Sequence, residues 1–232
     1  LAVACAYAVL EEAAPIDERV ELGVEDMPGP YCRSKFLADA EAHAAARRGL
    51  PVVIVNPTMP IGPGDRHLTP PSRMLLGFLN GEMPAYLDCV FNLVDARDVA
   101  AGHILAAERG QVGERYILGN TNIGLKQLLD LLHELTGLAM PRLRIPYPVA
   151  LAAALVAETI SAVTGRPPMA PLTGVRLAAT PLAFDSRKAV EVLGLPQTPL
   201  RRSLLDAIAD FARRGLVRRP LPPELTSPVL AP

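Results

Sequence analysis

Tryptophan is absent, and lysine is used three times against twenty arginines. So skewed a ratio reads as a coding bias, and it makes each lysine more informative. The three cysteines, Cys5, Cys32 and Cys89, form no CxxC spacing. That excludes a disulfide framework and a cysteine-based zinc site, and it points to reduced thiols. The four histidines are equally dispersed, so no metal is expected. A formal net charge of −1 argues against a nucleic-acid partner, which would favour a concentrated basic surface. No basic leader precedes the apolar start, and the longest apolar stretch, Tyr147 to Val163, is broken by Pro148, Glu158 and Thr159. A membrane span is therefore not expected; an amphipathic helix and a cytoplasmic setting are.

Half of the 232 residues are hydrophobic, enough for a sizeable core in one large domain or two small ones. The pattern predicts helices over 34–48, 72–80, 98–108, 186–193 and 203–213. Strands are predicted over 51–55, 91–94 and 115–118. Asn56 to Gly64 reads as a Pro/Gly-rich loop. Leu125, Leu128, Leu129, Leu132 and Leu135 mark a helix with one buried face, as do Leu204, Ile208 and Phe211. Asp95 and Asp98 are expected to cap or open the helix that follows them. After Val217 the chain is Pro- and Leu-rich without period, a tail expected to be disordered or draped on the surface.

Alternating strands and helices imply an α/β sheet. One dinucleotide signature is missing: neither G-x-G-x-x-G nor G-x-x-G-x-x-G occurs. Gly62 and Gly64 flank Pro63 in a loop and read better as a tight surface turn than as a phosphate cradle.

Tyr31 and Lys35 are four residues apart at the start of a helix, so they share a helix face. A phenol near pKa 10 is a poor proton shuttle at neutrality, and a fixed cation beside it favours the phenolate. The pair fits a tuned general acid/base, with spare ammonium protons for a cofactor ribose. It also fits a surface tyrosine beside a solvated lysine, so the flanking sequence has to decide.

That flanking sequence resembles the second half of the extended short-chain dehydrogenase/reductases, the NAD-dependent epimerase/dehydratase family. The resemblance rests on YCRSKFLA at 31–38, GLPVVIVNP at 49–57 and IGPGD at 61–65. It continues in NLVDARDVA at 92–100, GERYILG at 113–119, FDSRKA at 184–189 and Leu193-Gly194. The group it is most similar to is the hopanoid-associated sugar epimerases, with dihydroflavonol-4-reductase-like proteins nearby. The similarity runs from Tyr7 to Leu216.

The resemblance implies the C-terminal part of a Rossmann-like doubly wound parallel sheet, plus a smaller, mostly helical substrate domain. Residues 1–119 would be the remainder of the Rossmann-like domain, with a substrate-domain insertion near 65–90. Residues 120–216 would be mainly substrate domain and closing helices, and 217–232 a Pro-rich tail. It implies catalytic roles for Tyr31 and Lys35, and NAD or NADP as cofactor. Asn56, Pro57, Thr58 and Met59 would lie beside the nicotinamide. Arg73 and Arg176 are candidates for a substrate phosphate or carboxylate, which guanidinium grips in a fork. The substrate would be a sugar, a sugar nucleotide or a ketone, and a homodimer would pair through the Tyr-bearing helix.

Two departures from the family stand out. The N-terminal glycine motif is absent, and the sequence does not begin with Met, so the chain is expected to be a partial version of a complete enzyme. The family's catalytic Ser or Thr falls by count on Ala2, Val3 and Ala4, which carry no hydroxyl; Cys5 beside them is a weak donor. Loss of one preorganised donor lowers a rate by on the order of a hundredfold. Three functions follow: an NAD(P)-dependent sugar epimerase or dehydratase, an NADPH-dependent ketone reductase, or a non-catalytic remnant that binds a small molecule or subunit.

Overall fold

A computed structural model describes residues 2–3, 15–20, 23–27, 29–164, 172–178 and 183–226. Three parallel strands form the central sheet: β1 (Ala2–Val3), β2 (Ile54–Pro57) and β6 (Arg115–Leu118), in the order β1-β2-β6. The chain crosses from β1 to β2 through α1 (Pro30–Arg47) and reaches β6 through α3 (Ala96–Arg109). Val55, Tyr116 and Leu118 pack with Ala106 of α3. Side chains alternate along a strand, so Ile54, Asn56, Arg115 and Ile117 face the other side. There Arg115 meets Asp39 of α1, and Ile117 packs with Ile16 and Phe184. The two helices thus cover opposite faces, the doubly wound α/β arrangement that the sequence predicts.

A second sheet is mixed. β3 (Met59–Ile61) runs parallel to β5 (Val90–Asp95), and β5 pairs antiparallel with β7 (Thr121–Gly124). The largest core cluster lies against this sheet. It joins α2 (Pro70–Leu79), α4 (Leu125–Thr136) and α7 (Leu200–Arg213). All five predicted leucines of α4 are buried, as are Leu204, Ile208 and Phe211 of α7. Each such side chain contributes about 1.5–3 kcal/mol by leaving water. α4 ends on Gly137 at φ 68°, a left-handed cap that only glycine adopts freely, and its amide closes on the His133 carbonyl.

A third pair, β4 (Ala85–Leu87) with β8 (Leu143–Ile145), is parallel and leads into α5 (Tyr147–Thr164), which packs on α6 (Leu172–Leu177). No described helix is long and apolar enough to cross a membrane.

Several boundaries differ from the sequence reading. α1 begins four residues early because Pro30 fits the first helical position, where no amide is needed. β2 starts at Ile54, three residues late, and the expected loop at 56–64 contains β3. The helix expected over 186–193 is present from Arg187 and widens into π geometry at Ala189–Leu193. The tail is draped rather than loose as far as it is described: α8 (Pro223–Thr226) buries Leu225 against the main core. Cys32 and Cys89 are buried, and burial pushes the Cys89 thiol up to about 12, so it is inert near neutrality.

Candidate active site

Tyr31 and Lys35 occupy the first turns of α1. The Lys35 ammonium sits over the Tyr31 ring, 5.6 Å from its centroid, within cation–π range. Tyr31 is 51% exposed, so its phenol is reachable from outside. The first turn of a helix presents amides without intrahelical acceptors, which, like the ammonium, stabilise negative charge on a nearby oxygen.

The direction of α1 places this pair in the fold. Asp39, one turn beyond Lys35, binds Arg115 at the start of β6. Ala46, two turns further, lies beside Gly113, just before that strand. The helix therefore runs against the strands. Going back from Asp39 to Tyr31 moves about 12 Å at 1.5 Å per residue, toward the carboxyl ends of the strands. That is the edge where open α/β sheets bind ligands.

At the same edge β2 ends in Asn56-Pro57 and runs through Thr58 into Met59 of β3. Thr58 is held firmly. Its amide donates to the Leu118 carbonyl at 3.1 Å and its hydroxyl to Asn92 Oδ1 at 2.8 Å. Asn92, 2% exposed, also accepts from the Asn120 amide and donates to Asn122 Oδ1. Asn122 in turn bonds both backbone groups of Phe184. A partly buried polar ladder centred on Asn92 thus fixes the loop at this edge. Asn56 is 3% exposed, and its Oδ1 is a buried acceptor with no donor among the described residues.

Gly119 fits closely into this ladder. A Cβ there would lie 2.6 Å from Asn92 Oδ1 and 3.1 Å from Thr58 Cγ2. Gly119→Ala is expected to destabilise the fold by about 1–3 kcal/mol, as overpacking does, and to loosen Thr58. A thermal melt checks it; an unchanged melting temperature would show that the ladder yields freely.

Behind the pair, Tyr31, Lys35, Asp39 and His43 form a stripe at four-residue spacing on α1. Arg115 bonds Asp39 Oδ2 and lies 3.1 Å from His43 Nε2, which ties the helix to β6. On the edge of β6, Glu18 accepts from the Ile117 amide at 2.8 Å, and burial holds its carboxyl above the usual range.

Arg73 lies on α2 and Arg176 on α6, both exposed, and among the described residues no hydrogen bond or ion pair joins either to Tyr31 or Lys35. The Gly62–Gly64 loop is a surface turn: the Gly64 amide donates to Asp210 Oδ2 at 3.2 Å and is not free for a phosphate. Asp95 caps α3, accepting from the Arg97 amide, while Asp98 binds the amide and hydroxyl of Thr198. Ala4 and Cys5 lie outside the described residues, as do the side chains of Ala2 and Val3. Asn92, Asn120, Asn122, Asp39 and Arg115 were not singled out from the sequence. A buried asparagine inside a β-rich run is the one local signal that Asn92 offers.

Comparison with known proteins gives the family and the fold. The family model for the NAD dependent epimerase/dehydratase family matches residues 2–119. A putative dihydroflavonol 4-reductase of Synechocystis is 44% identical over 206 residues, 87% of this chain and 60% of that protein. Sterol demethylase protein B of Methylococcus capsulatus is 34% identical, over 81% of this chain and 58% of that protein. A solved nucleoside-diphosphate-sugar epimerase from Pseudomonas aeruginosa superposes with a TM-score of 0.76 at 31% identity, covering 93% of this chain and 67% of that one. The chain spans about three fifths of the length of the two curated relatives. On the matched half, which contains β1, α1 and the loop at the end of β2, the chain belongs to the NAD dependent epimerase/dehydratase family.

Proposed function

We propose that this chain carries the proton-transfer half of an NAD(P)-dependent epimerase/dehydratase acting on a sugar or sugar nucleotide. The observation that carries the reading is Lys35 over the Tyr31 ring, on the helix end directed toward the carboxyl edge of the sheet, where the pinned loop 56–59 also lies. The residues fit the nicotinamide end of the cofactor. Among the described residues Asn56 Oδ1 is a buried acceptor without a donor, and a carboxamide N–H is one. Backbone groups of Pro57, Thr58 and Met59 complete that side, and the Lys35 ammonium suits ribose hydroxyls. When bound, NAD or NADP accepts and returns a hydride. Tyr31 oxygen takes and restores the proton of the substrate hydroxyl, and Lys35 stabilises the oxygen while it is negative. Arg73 and Arg176 remain candidates for a substrate anion, and α1, with Leu37 exposed, for pairing subunits.

A second reading is an NADPH-dependent ketone reductase, favoured by the 44% identity to a putative dihydroflavonol 4-reductase. The two differ in balance. A reductase consumes reduced cofactor stoichiometrically, whereas an epimerase returns its hydride and leaves the nicotinamide absorbance unchanged. The direct test is thermal stabilisation of the chain by NAD(H) and NADP(H). A ligand at a hundredfold excess over its Kd adds about 2.7 kcal/mol, a shift of several degrees. No shift with any of the four would show that this polypeptide is not itself an oxidoreductase and would favour a binding remnant.

A further inference from the structure

α5 is apolar on two opposite sides. Ala150 and Ala154 are buried with Val175 of α6, the side that faces the protein. Val149, Ala152, Val156 and Ile160 recur at helical spacing on the other side, and Val149, Val156 and Ile160 are 55%, 60% and 56% exposed. The helix's one charged residue, Glu158, accepts a hydrogen bond from the Leu172 amide and so leans toward α6, away from this stripe. A helix apolar all round is normally covered all round.

The surroundings say what would cover it. β8 leads into α5 with Leu143 64% exposed between Arg142 and Arg144, both exposed. Arg144 reaches Asp88 at 3.3 Å but keeps 66% of its side chain in solvent. Arg219 donates to the Ala139 carbonyl and adds a cation at the same end. Between residues 139 and 184 the sequence carries Arg142, Arg144, Arg166 and Arg176 against Glu158 alone, in a chain whose formal charge is −1. An apolar stripe with a basic end matches an anionic lipid surface. The same face of a second copy would present the same arginines, and the half-exposed Asp88 at this end is already engaged by Arg144. No described helix is suited to crossing a bilayer, so α5 would lie on one.

We propose that α5 and β8 seat the protein on an anionic membrane surface, with Val149, Val156 and Ile160 in the acyl boundary and Arg142 and Arg144 among the headgroups. The test is co-sedimentation of the full chain with vesicles of phosphatidylcholine alone or mixed with phosphatidylglycerol. Pelleting is expected with the mixed vesicles, weaker with the neutral ones, and reduced by salt. The double variant Val149→Glu/Val156→Glu should lower the partition coefficient by about tenfold or more, since two apolar side chains lose their burial. Arg142→Gln should weaken the anionic preference alone. Circular dichroism melts show whether the double variant folds; if it does not, Val156→Ser serves the same comparison. Absence of pelleting with mixed vesicles overturns the proposal, as does equal pelleting of parent and folded variant. A concentration-dependent dimer that Val156→Glu dissociates, without vesicle binding, would give the face to a second copy.

Discussion

Replacing Tyr31 by phenylalanine is expected to lower kcat by about two to four orders of magnitude, the usual worth of a positioned general acid or base. The melting temperature should hardly move, because the lost hydroxyl belongs to a side chain that is half exposed. This separation is what distinguishes the catalytic reading from the bland one, in which both quantities stay put. Lys35→Met should act differently. It removes the cation over the ring and the donors suited to a ribose, so kcat should fall and the KM for cofactor should rise together. Steady-state kinetics in protein that turns over substrate, with pH profiles for parent and variants, reads all of this. Full activity in Tyr31→Phe would remove Tyr31 from the mechanism, whatever the family.

The Tyr31–Lys35 pair was legible in the sequence because helix spacing is local: four residues on one face need no knowledge of the rest of the fold. The same holds for the leucine face of α4 and for the Asp95 cap, which depend on contacts within one element or its first turn. What failed depends on distant partners. β4 and β8 are three residues each and exist because Ala85–Leu87 meets Leu143–Ile145, far along the chain. β2 was placed early because 51–53 is as apolar as 54–55. Pro51 has no amide to give, however, and the ladder with β6 begins at Ile54. The helix expected over 186–193 forms, but its winding was not legible: the Leu195 amide reaches back to the Ala189 carbonyl, and Ala189–Leu193 is opened into π geometry. The asparagine ladder around Thr58 was invisible for the same reason: its members come from β5, β7 and the β2–β3 and β6–β7 connections, and only folding brings them together.

Asp95→Ala is expected to destabilise the fold by about 3 kcal/mol, since it breaks a buried ion pair and removes a helix cap at once. Asp95 is 1% exposed and accepts from the Arg97 amide and guanidinium and from the Ser203 hydroxyl, which α7 brings against β5. Without it Ser203, itself 1% exposed, loses this acceptor, and Arg97 keeps its pair with Asp206. Arg97 is half exposed, so water softens its share of the loss. For a chain of this size the melting temperature should drop by roughly 6–12 °C. The pH dependence gives an independent sign. Burial raises the Asp95 carboxyl, but hydrogen bonds from Arg97 and Ser203 outweigh it and leave the group below its ordinary value. Its stabilisation is therefore fully present above the unfolded value of about 3.9 and is lost as pH falls through the lower folded value. The gap between parent and Asp95→Ala melts should be constant near neutrality and shrink below about pH 4. A gap that instead grew toward acid would mean that the carboxyl is raised in the folded state, and the ion pair could not be what holds α3 and α7 to β5.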